Sequence, residues 1–567
     1  MKIITLQRNG LFLVVAIAAT LLGRTNAQAQ PDPTAAAGKV QGEIIRSLPT
    51  LPRTLPKEEL DEESISVLKP PLVGGPIPLV KTIRLSGFES DIDKDVHGYQ
   101  LVSKYFSLQL TQEDWKRISG EIWEGYRDMG KLVRVDLVAH DSQFIVTVSQ
   151  LRIRKITIKN SNSSNSQVEE EEIKRIEKLM RQHITEGQHV DLFNLKKFLL
   201  HLDYRAKEVI STQIISAATG VIDIIFIVSK RERKSPTPWQ FGVDNFGLNG
   251  FGKYRANGRY YAPLLSAGDN FALQALFSAG QAFGNARYDF PLGFTSLRSS
   301  VWGNMLHYKV DSKTAQTGQA TMGGIDVSYP IFFREGGLIT TSIGYEFKGT
   351  KDYLPMIFTS KWINNFHLRA SGENFVGGQL SVAGDLTIGN LNIGGNGVAS
   401  LLDDYSAKTK GNFGKFYGEG QFFQPVTTRS IFTANLKGQF SNKNLDSLEK
   451  FSFAGVNGVR AYNSDVGIGD GGLLANISYS MSLNTKLPMK VGIFYDHAFI
   501  KVSHSPWDTE FDNLSYSNNY QLNGAGLQLT VAYKELFFNA TVAHPVDKKP
   551  IAPDEGLRLW AQVTYSF

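Results

Sequence analysis

Arg460 and Asp496 are the two side chains of this sequence whose types and settings point most clearly to an interaction between them. Arg460 lies in Gly458-Val459-Arg460-Ala461-Tyr462, within a long connection spanning Gly455–Gly471. Asp496 closes Gly492-Ile493-Phe494-Tyr495-Asp496, an alternating segment in which Val491, Ile493 and Tyr495 share one face while Phe494 and Asp496 share the other. A carboxylate on the inner face of a closed sheet needs a partner or water, because an unpaired buried charge is costly. An arginine on a connection long enough to fold back could supply a bidentate, charge-assisted pair. Alternatively, both residues simply line a wet channel. Neither reading is bond-making chemistry.

Reaction chemistry finds little support. The sequence contains no H-E-x-x-H, no phosphate-binding G-x-x-x-x-G-K-[ST] and no G-x-S-x-G. The absence of cysteine excludes disulfides, thiolate metal sites and a cysteine nucleophile. The histidines are scattered. His497 and His544 lie near strand ends and read as interfacial, and Asp244-Asn245 and Asp269-Asn270 read as turn formers. We therefore expect no catalytic residues, no cofactor and no metal. A net charge of +6, not gathered into one block, gives no reason to expect nucleic acid as a partner.

The elements that must position the pair are strands. In the last segment Leu557, Leu559, Ala561, Val563, Tyr565 and Phe567 share one face, and Arg558, Trp560, Gln562, Thr564 and Ser566 share the other. The same period of two recurs around Phe432–Phe440, Leu473–Leu483, Ala525–Tyr533 and Leu536–Val542. Apolar outside and polar inside is the pattern of a transmembrane β-barrel. From Trp239 to Phe567, at roughly 20 residues per strand and connector, about sixteen strands fit. Long and very short connections alternate backwards from Phe567: Pro545–Asp554, Lys534-Glu535, Ser503–Tyr520, Asn484–Pro488 and Gly455–Gly471. Long loops face outward in such barrels, so the last strand is expected to end on the periplasmic side.

The sequence before Trp239 differs in texture. Lys2 and Arg8, the apolar run Leu11–Leu22 and the site Ala27-Gln28-Ala29 predict a secretory signal over 1–29. A narrow apolar stripe at Val40, Ile44, Ile45 and Leu48 predicts a short helix, and the prolines from Pro49 to Pro78 predict an extended tether, together 30–77. Two successive β-α-α-β-β units follow, at 78–150 and 151–234, ahead of the barrel at 235–567. Their helices are predicted to be capped by Thr111 with Asp114 and by Ser166 with Glu169.

With these residues in view, the chain resembles the transporters of two-partner secretion, the haemolysin-activator type of the POTRA-plus-barrel superfamily found in Gram-negative bacteria. Val459-Arg460-Ala461-Tyr462 matches the family's V-R-G-Y motif, and Phe494-Tyr495-Asp496 matches its F-x-D motif. The resemblance implies a plug helix near Thr34–Leu48, two periplasmic POTRA domains and a sixteen-stranded barrel, with Arg460 in a tucked sixth loop paired to Asp496 on strand thirteen. It implies type V secretion: an unfolded exoprotein of haemolysin, adhesin or haem-scavenging type is captured by the POTRA domains, conducted through the outer membrane without an enzymatic step, and drawn onward by folding outside. The other partners implied are outer-membrane lipid and, during biogenesis, the barrel-assembly machinery. Ala461 stands where the family usually has glycine, and a positive φ there would strain it. The alternative is an insertase that folds other barrels; a passive porin or barrel enzyme is a third reading.

Overall fold

The computed structural model describes residues 82–86 and 112–567, except 141–142, 161–167, 206–207, 219, 231–237, 249, 266–267, 294–295, 311–315, 333–337, 355–356, 376–378, 396, 486, 508–516 and 547–555. The expected signal, plug helix and tether, the Thr111 and Ser166 caps and the start of the first α/β unit lie outside the described residues.

Two small sheets precede the barrel, and they share one topology. The first comprises β1 (Thr82–Ser86), α1 (Gln112–Asp128), β2 (Val133–His140) and β3 (Gln143–Gln150), with strand order β1-β3-β2. The second comprises β4 (Arg152–Asn160), α2 (Glu170–Met180), α3 (Leu192–Arg205), β5 (Glu208–Ala218) and β6 (Val221–Lys230), with order β4-β6-β5. In each sheet the first strand runs parallel to the third, and the second pairs antiparallel to it. The helices lay their apolar stripes on the sheets, so that Ile118, Ile122 and Tyr126 of α1 are buried in one core with Ile176, Phe198 and Phe226 of the second unit. Gly130 ends α1 at φ 77° and leaves room for the Phe193 ring, which sits where a Cβ would stand. One helix start differs from expectation. Glu169 is itself the N-cap of α2 and makes no side-chain capping bond. Asp191 begins α3, its Oδ1 accepting from the N–H groups of Phe193 and Asn194.

The barrel is built from β7 (Trp239–Asp244), β8 (Arg255–Ala262), β9 (Asn270–Ser278), β10 (Gln281–Pro291), β11 (Arg298–Lys309), β12 (Thr317–Phe332), β13 (Leu338–Leu354), β14 (Ile357–Asn374), β15 (Leu380–Gly395), β16 (Gly411–Thr427), β17 (Ser430–Ser441), β20 (Gly471–Leu483), β21 (Met489–Lys501), β22 (Asn519–Tyr533), β23 (Leu536–Pro545) and β24 (Arg558–Ser566). All neighbours are antiparallel, and β24 closes on β7, giving sixteen strands and no open edge. Phe567 and Trp239 exchange backbone hydrogen bonds at one rim, at 3.0 and 3.1 Å. Alternation sorts the side chains: Ile343, Phe366, Ile388, Ile493, Leu527 and Val563 stand exposed on the outer surface, while Asn304, Thr340, Asn365, Thr387, Asp496 and Thr564 are buried within. No helix among the described residues is long and apolar enough to cross a membrane, and the strands are the spanning elements.

Connections at the rim bearing Trp239 and Phe567 are short throughout, such as 428–429 and 534–535. At the far rim two connections, 279–280 and 355–356, are as short as any; the long ones are 396–410, which holds α4 (Val398–Tyr405), then 442–470, 502–518 and 546–557. The length asymmetry thus belongs to the second half of the barrel. The largest connection begins at Asn442, well before the expected Gly455.

The second α/β unit touches the barrel through a histidine. His201 on α3 is buried, its Nδ1 lying 2.5 Å from Ser296 Oγ in the turn between β10 and β11. Its ring stacks on His183 at 5.4 Å and faces Tyr329 of β12 at 6.2 Å. Burial, then the nearby His183 and Lys197, push the His201 imidazole down from 6.5 to about 4. A lowered histidine pKa means that the docked state binds fewer protons than the released one. The contact is therefore at full strength above about 6.5 and weakens as pH falls towards about 4. Protection of the α3 amides, taken relative to their intrinsic exchange rate at each pH, should fall over that window, and His201→Gln should remove the change; constant protection in the unaltered protein would contradict this.

Candidate functional site: a loop fastened inside the barrel

The connection 442–470 is a hairpin. Its limbs pair through β18 (Phe451–Ser452) and β19 (Ile468–Gly469), and the tip turns into the lumen. Backbone bonds fix the tip: Phe453 N–H to Gly467 O at 2.6 Å, Val459 N–H to Phe453 O at 2.8 Å and Gly455 N–H to Tyr462 O at 3.1 Å. Gly455 is required here, since its φ is 95° and an added Cβ would fall 2.0 Å from Ser464 Oγ.

The tip presents Arg460 to the inner wall. Arg460 Nε donates to Asp496 Oδ2 at 2.9 Å and NH2 donates to Oδ1 at 2.7 Å, a fork-on-fork pair. The Arg460 backbone N–H adds a third bond to Oδ2 at 3.0 Å. Asn476 Nδ2 donates to Asp496 Oδ1 at 2.8 Å and to Gly458 O at 3.0 Å, so it fastens the same carboxylate and the loop backbone together. The guanidinium carbon lies 3.4 Å from the centre of the Phe494 ring, and NH1 reaches Gln528 Oε1 at 3.3 Å. Trp560 on the last strand donates its indole N–H to Arg460 O at 2.7 Å, and Arg558 donates to Asn463 Oδ1. Asp496 is completely buried with its lone pairs occupied, which makes a charge at that depth tolerable.

Packing completes the seat. Val459, Ala461 and Tyr462 are fully buried against Leu474, Phe494, Ala498, Leu522 and Ala543, all on the lumenal face of β20 to β23. Fully burying one such large side chain is worth about 1.5–3 kcal/mol. Ala461 does not adopt positive φ, so alanine carries no strain there; its methyl lies over Gly524, where an added Cβ would stand 2.7 Å away.

The structure thus brings together all six residues singled out in the sequence: Val459, Arg460, Ala461 and Tyr462 on the tip, between the eleventh and twelfth barrel strands, and Phe494 and Asp496 on the thirteenth. Sequence reasoning missed Asn476, Gln528 and Trp560, which read as ordinary lumenal residues. It also passed over the apolar arc, although Leu474, Ala498 and Leu522 interrupt an otherwise polar inner face, which was a signal in plain sight. Asp244 forms a turn, its Oδ1 accepting from the Phe246 N–H at 2.9 Å, and, buried at the end of β7, it also accepts from Arg255 Nε at 2.7 Å, while Asn245 bonds Ala561 and Leu559 across the closing seam. Asp269 does hold a turn, accepting from the N–H groups of Leu264 and Leu265. Among the described residues no group of three or more His, Cys, Asp or Glu converges as a metal site would.

The chain is similar to several known proteins. The family described as haemolysin secretion/activation protein ShlB/FhaC/HecB matches residues 224–496. The haem/hemopexin transporter protein HuxB of Haemophilus influenzae is 22% identical over 489 residues, 83% of this chain and 84% of that protein. The haemolysin transporter protein HpmB of Proteus mirabilis is 24% identical over 343 residues, 55% of this chain and 58% of that protein. Among solved structures, CdiB from Escherichia coli superposes with a TM-score of 0.60 at 17% identity, covering 96% of this chain and all of that one. BamA from Haemophilus ducreyi lacking POTRA domains 1–3 gives 0.50 at 13% identity, over 86% of this chain. These structural likenesses speak for the fold.

Proposed function

We propose that this chain, which matches the haemolysin secretion/activation family over residues 224–496, is a two-partner secretion transporter that exports one large partner polypeptide across the outer membrane, through its own barrel and without an enzymatic step. The observation that carries the reading is the tucked hairpin: a sixteen-stranded barrel whose lumen is crossed by a loop fastened at its tip by a buried Arg460–Asp496 fork. A pore that must stay shut at rest and open for a chain needs a movable stopper, whereas a passive porin needs none.

In this proposal the two α/β units, 78–150 and 151–234, lie in the periplasm as POTRA domains and hold the client unfolded. Their edge strands, with Ile215 of β5 exposed, suit strand addition to an extended polypeptide. The sequence has no nucleotide-binding motif, so folding of the client outside supplies direction. The segment before residue 78 acts as plug and tether, and Arg460 and Asp496 hold the tip in its working position. The client is of the haemolysin, adhesin or haem-scavenging kind, in line with the names borne by HuxB and HpmB.

Proteoliposomes carrying the full chain test this. Offered the unfolded N-terminal domain of the large exported protein encoded alongside, they should move it across to a protease-protected side. General insertion of other barrels, with no passage of that client, would favour the insertase alternative.

A further inference from the structure

Nine residues at the start of the hairpin, 442–450, carry a second fastening that neither motif includes. Leu445 is buried among Ile363, Leu391, Ile393 and Phe413 of the inner wall, and two carboxylates flank it towards the tip. Asp446 Oδ2 accepts from Lys361 Nζ at 2.7 Å while its Oδ1 caps Leu448 N–H at 3.0 Å. Glu449, with no exposed side-chain surface, lies between two lysines: Lys348 Nζ 2.8 Å from Oε1 and Lys415 Nζ 2.6 Å from Oε2. Asn365 Nδ2 donates to the same Oε1 at 2.9 Å. The three lysines come from β14, β13 and β16, on a different arc of the wall from the Arg460 seat on β20 to β24. On the wall, Glu346 also approaches Lys348, at 2.9 Å. Withdrawing the limb takes two carboxylates, Asp446 and Glu449, away from these three ammonium groups.

We propose that Lys348, Lys361 and Lys415 form a lumenal binding site for acidic side chains of an extended polypeptide in transit, and that Asp446 and Glu449 occupy it in the closed state. This rests on the translocator reading and adds to it the site that an acidic client segment takes over. Barrel closure does not require these lysines, because the strands are held by their backbone ladders. Carboxylate–ammonium pairs facing a pore can be exchanged one for another at little net cost as water enters, whereas an apolar latch offers acidic segments nothing to bind. The limb therefore serves as an internal stand-in for the client.

Single-channel recording of the purified full chain in planar bilayers tests this without any client, so its failure is separable from failure of the export reading, which would show as no export by the unaltered protein. Asp446→Asn with Glu449→Gln, near-isosteric changes, should raise the open fraction at least about tenfold, equivalent to 1.4 kcal/mol. Oligoglutamate should then block the opened pore, more weakly at high salt, while oligolysine should not. Adding Lys348→Gln, Lys361→Gln and Lys415→Gln should abolish that block. Exchanging one pair, Lys361→Asp with Asp446→Lys, should return the pore to the closed level of the unaltered protein. The heat-dependent gel shift of a folded barrel verifies that each variant is folded. An unchanged open fraction in the limb double variant, equal block by both peptides, or no recovery in the exchanged pair would overturn the proposal.

Discussion

Export of the partner is expected to cease when Arg460 is replaced by alanine, while the barrel stays folded and inserted. The ladder of sixteen strands does not pass through this side chain, so the heat-dependent gel shift should match the unaltered protein. What changes is the tip. Arg460→Ala removes both arms of the fork and the contact over Phe494. It leaves Asp496 charged on a wall position that is completely buried when the loop is seated. Breaking a buried pair from one side typically costs about 3–5 kcal/mol, enough to shift a seated loop to a mostly unseated one. Arg460→Lys should not restore export, because one ammonium cannot reproduce two parallel bonds to a carboxylate together with a planar stack. Partner protein in the medium, measured against barrel protein in the membrane fraction, decides it. Normal export by Arg460→Ala would remove the role proposed for the pair.

Gly524→Val should give the same loss without touching a charge. An added Cβ at Gly524 would stand 2.7 Å from the Ala461 methyl and 3.1 Å from Val459 Cγ1, both fully buried. The branched side chain cannot be accommodated while the tip is seated, and rigid strands on either side of β22 prevent the wall from retreating. The fork residues stay intact, so the two variants separate shape from charge. Protease added from outside should cleave within 453–467 in Gly524→Val and spare it in the unaltered protein. A variant that exports normally with its tip protected would show that the seat is looser than these distances imply.

Much of this architecture could be read from the sequence because it rests on local periodicity. Alternation is a property of neighbouring residues, so it revealed the strands and the lipid-facing side of β20 to β24. Counting strands back from Phe567 put Arg460 before the twelfth and Asp496 on the thirteenth. The first limb of the hairpin was not legible. Asn442-Lys443-Asn444-Leu445-Asp446-Ser447-Leu448-Glu449 has the composition of an exposed loop, and nothing local reports that Lys348, Lys361 and Lys415 wait on three other strands. The turn at Asp244 was legible, but its ion pair was not, for the same reason: the partner Arg255 lies across a connection. The absence of strain at Ala461 depended on a backbone angle that residue type alone does not set.

The apolar arc on the inner wall has a consequence for timing. Once the tip lifts away, Leu474, Ala498, Leu522 and Ala543 face water, as do Val459 and Tyr462 on the departing loop. Hydrated apolar surface on both halves acts as a restoring force, directed inward whenever the lumen is vacant. In the proposed export cycle the hairpin would act as a sprung door: a passing chain would hold it ajar by its own bulk, and recoil would shut it behind the last residue, with no signal or fuel spent on closing.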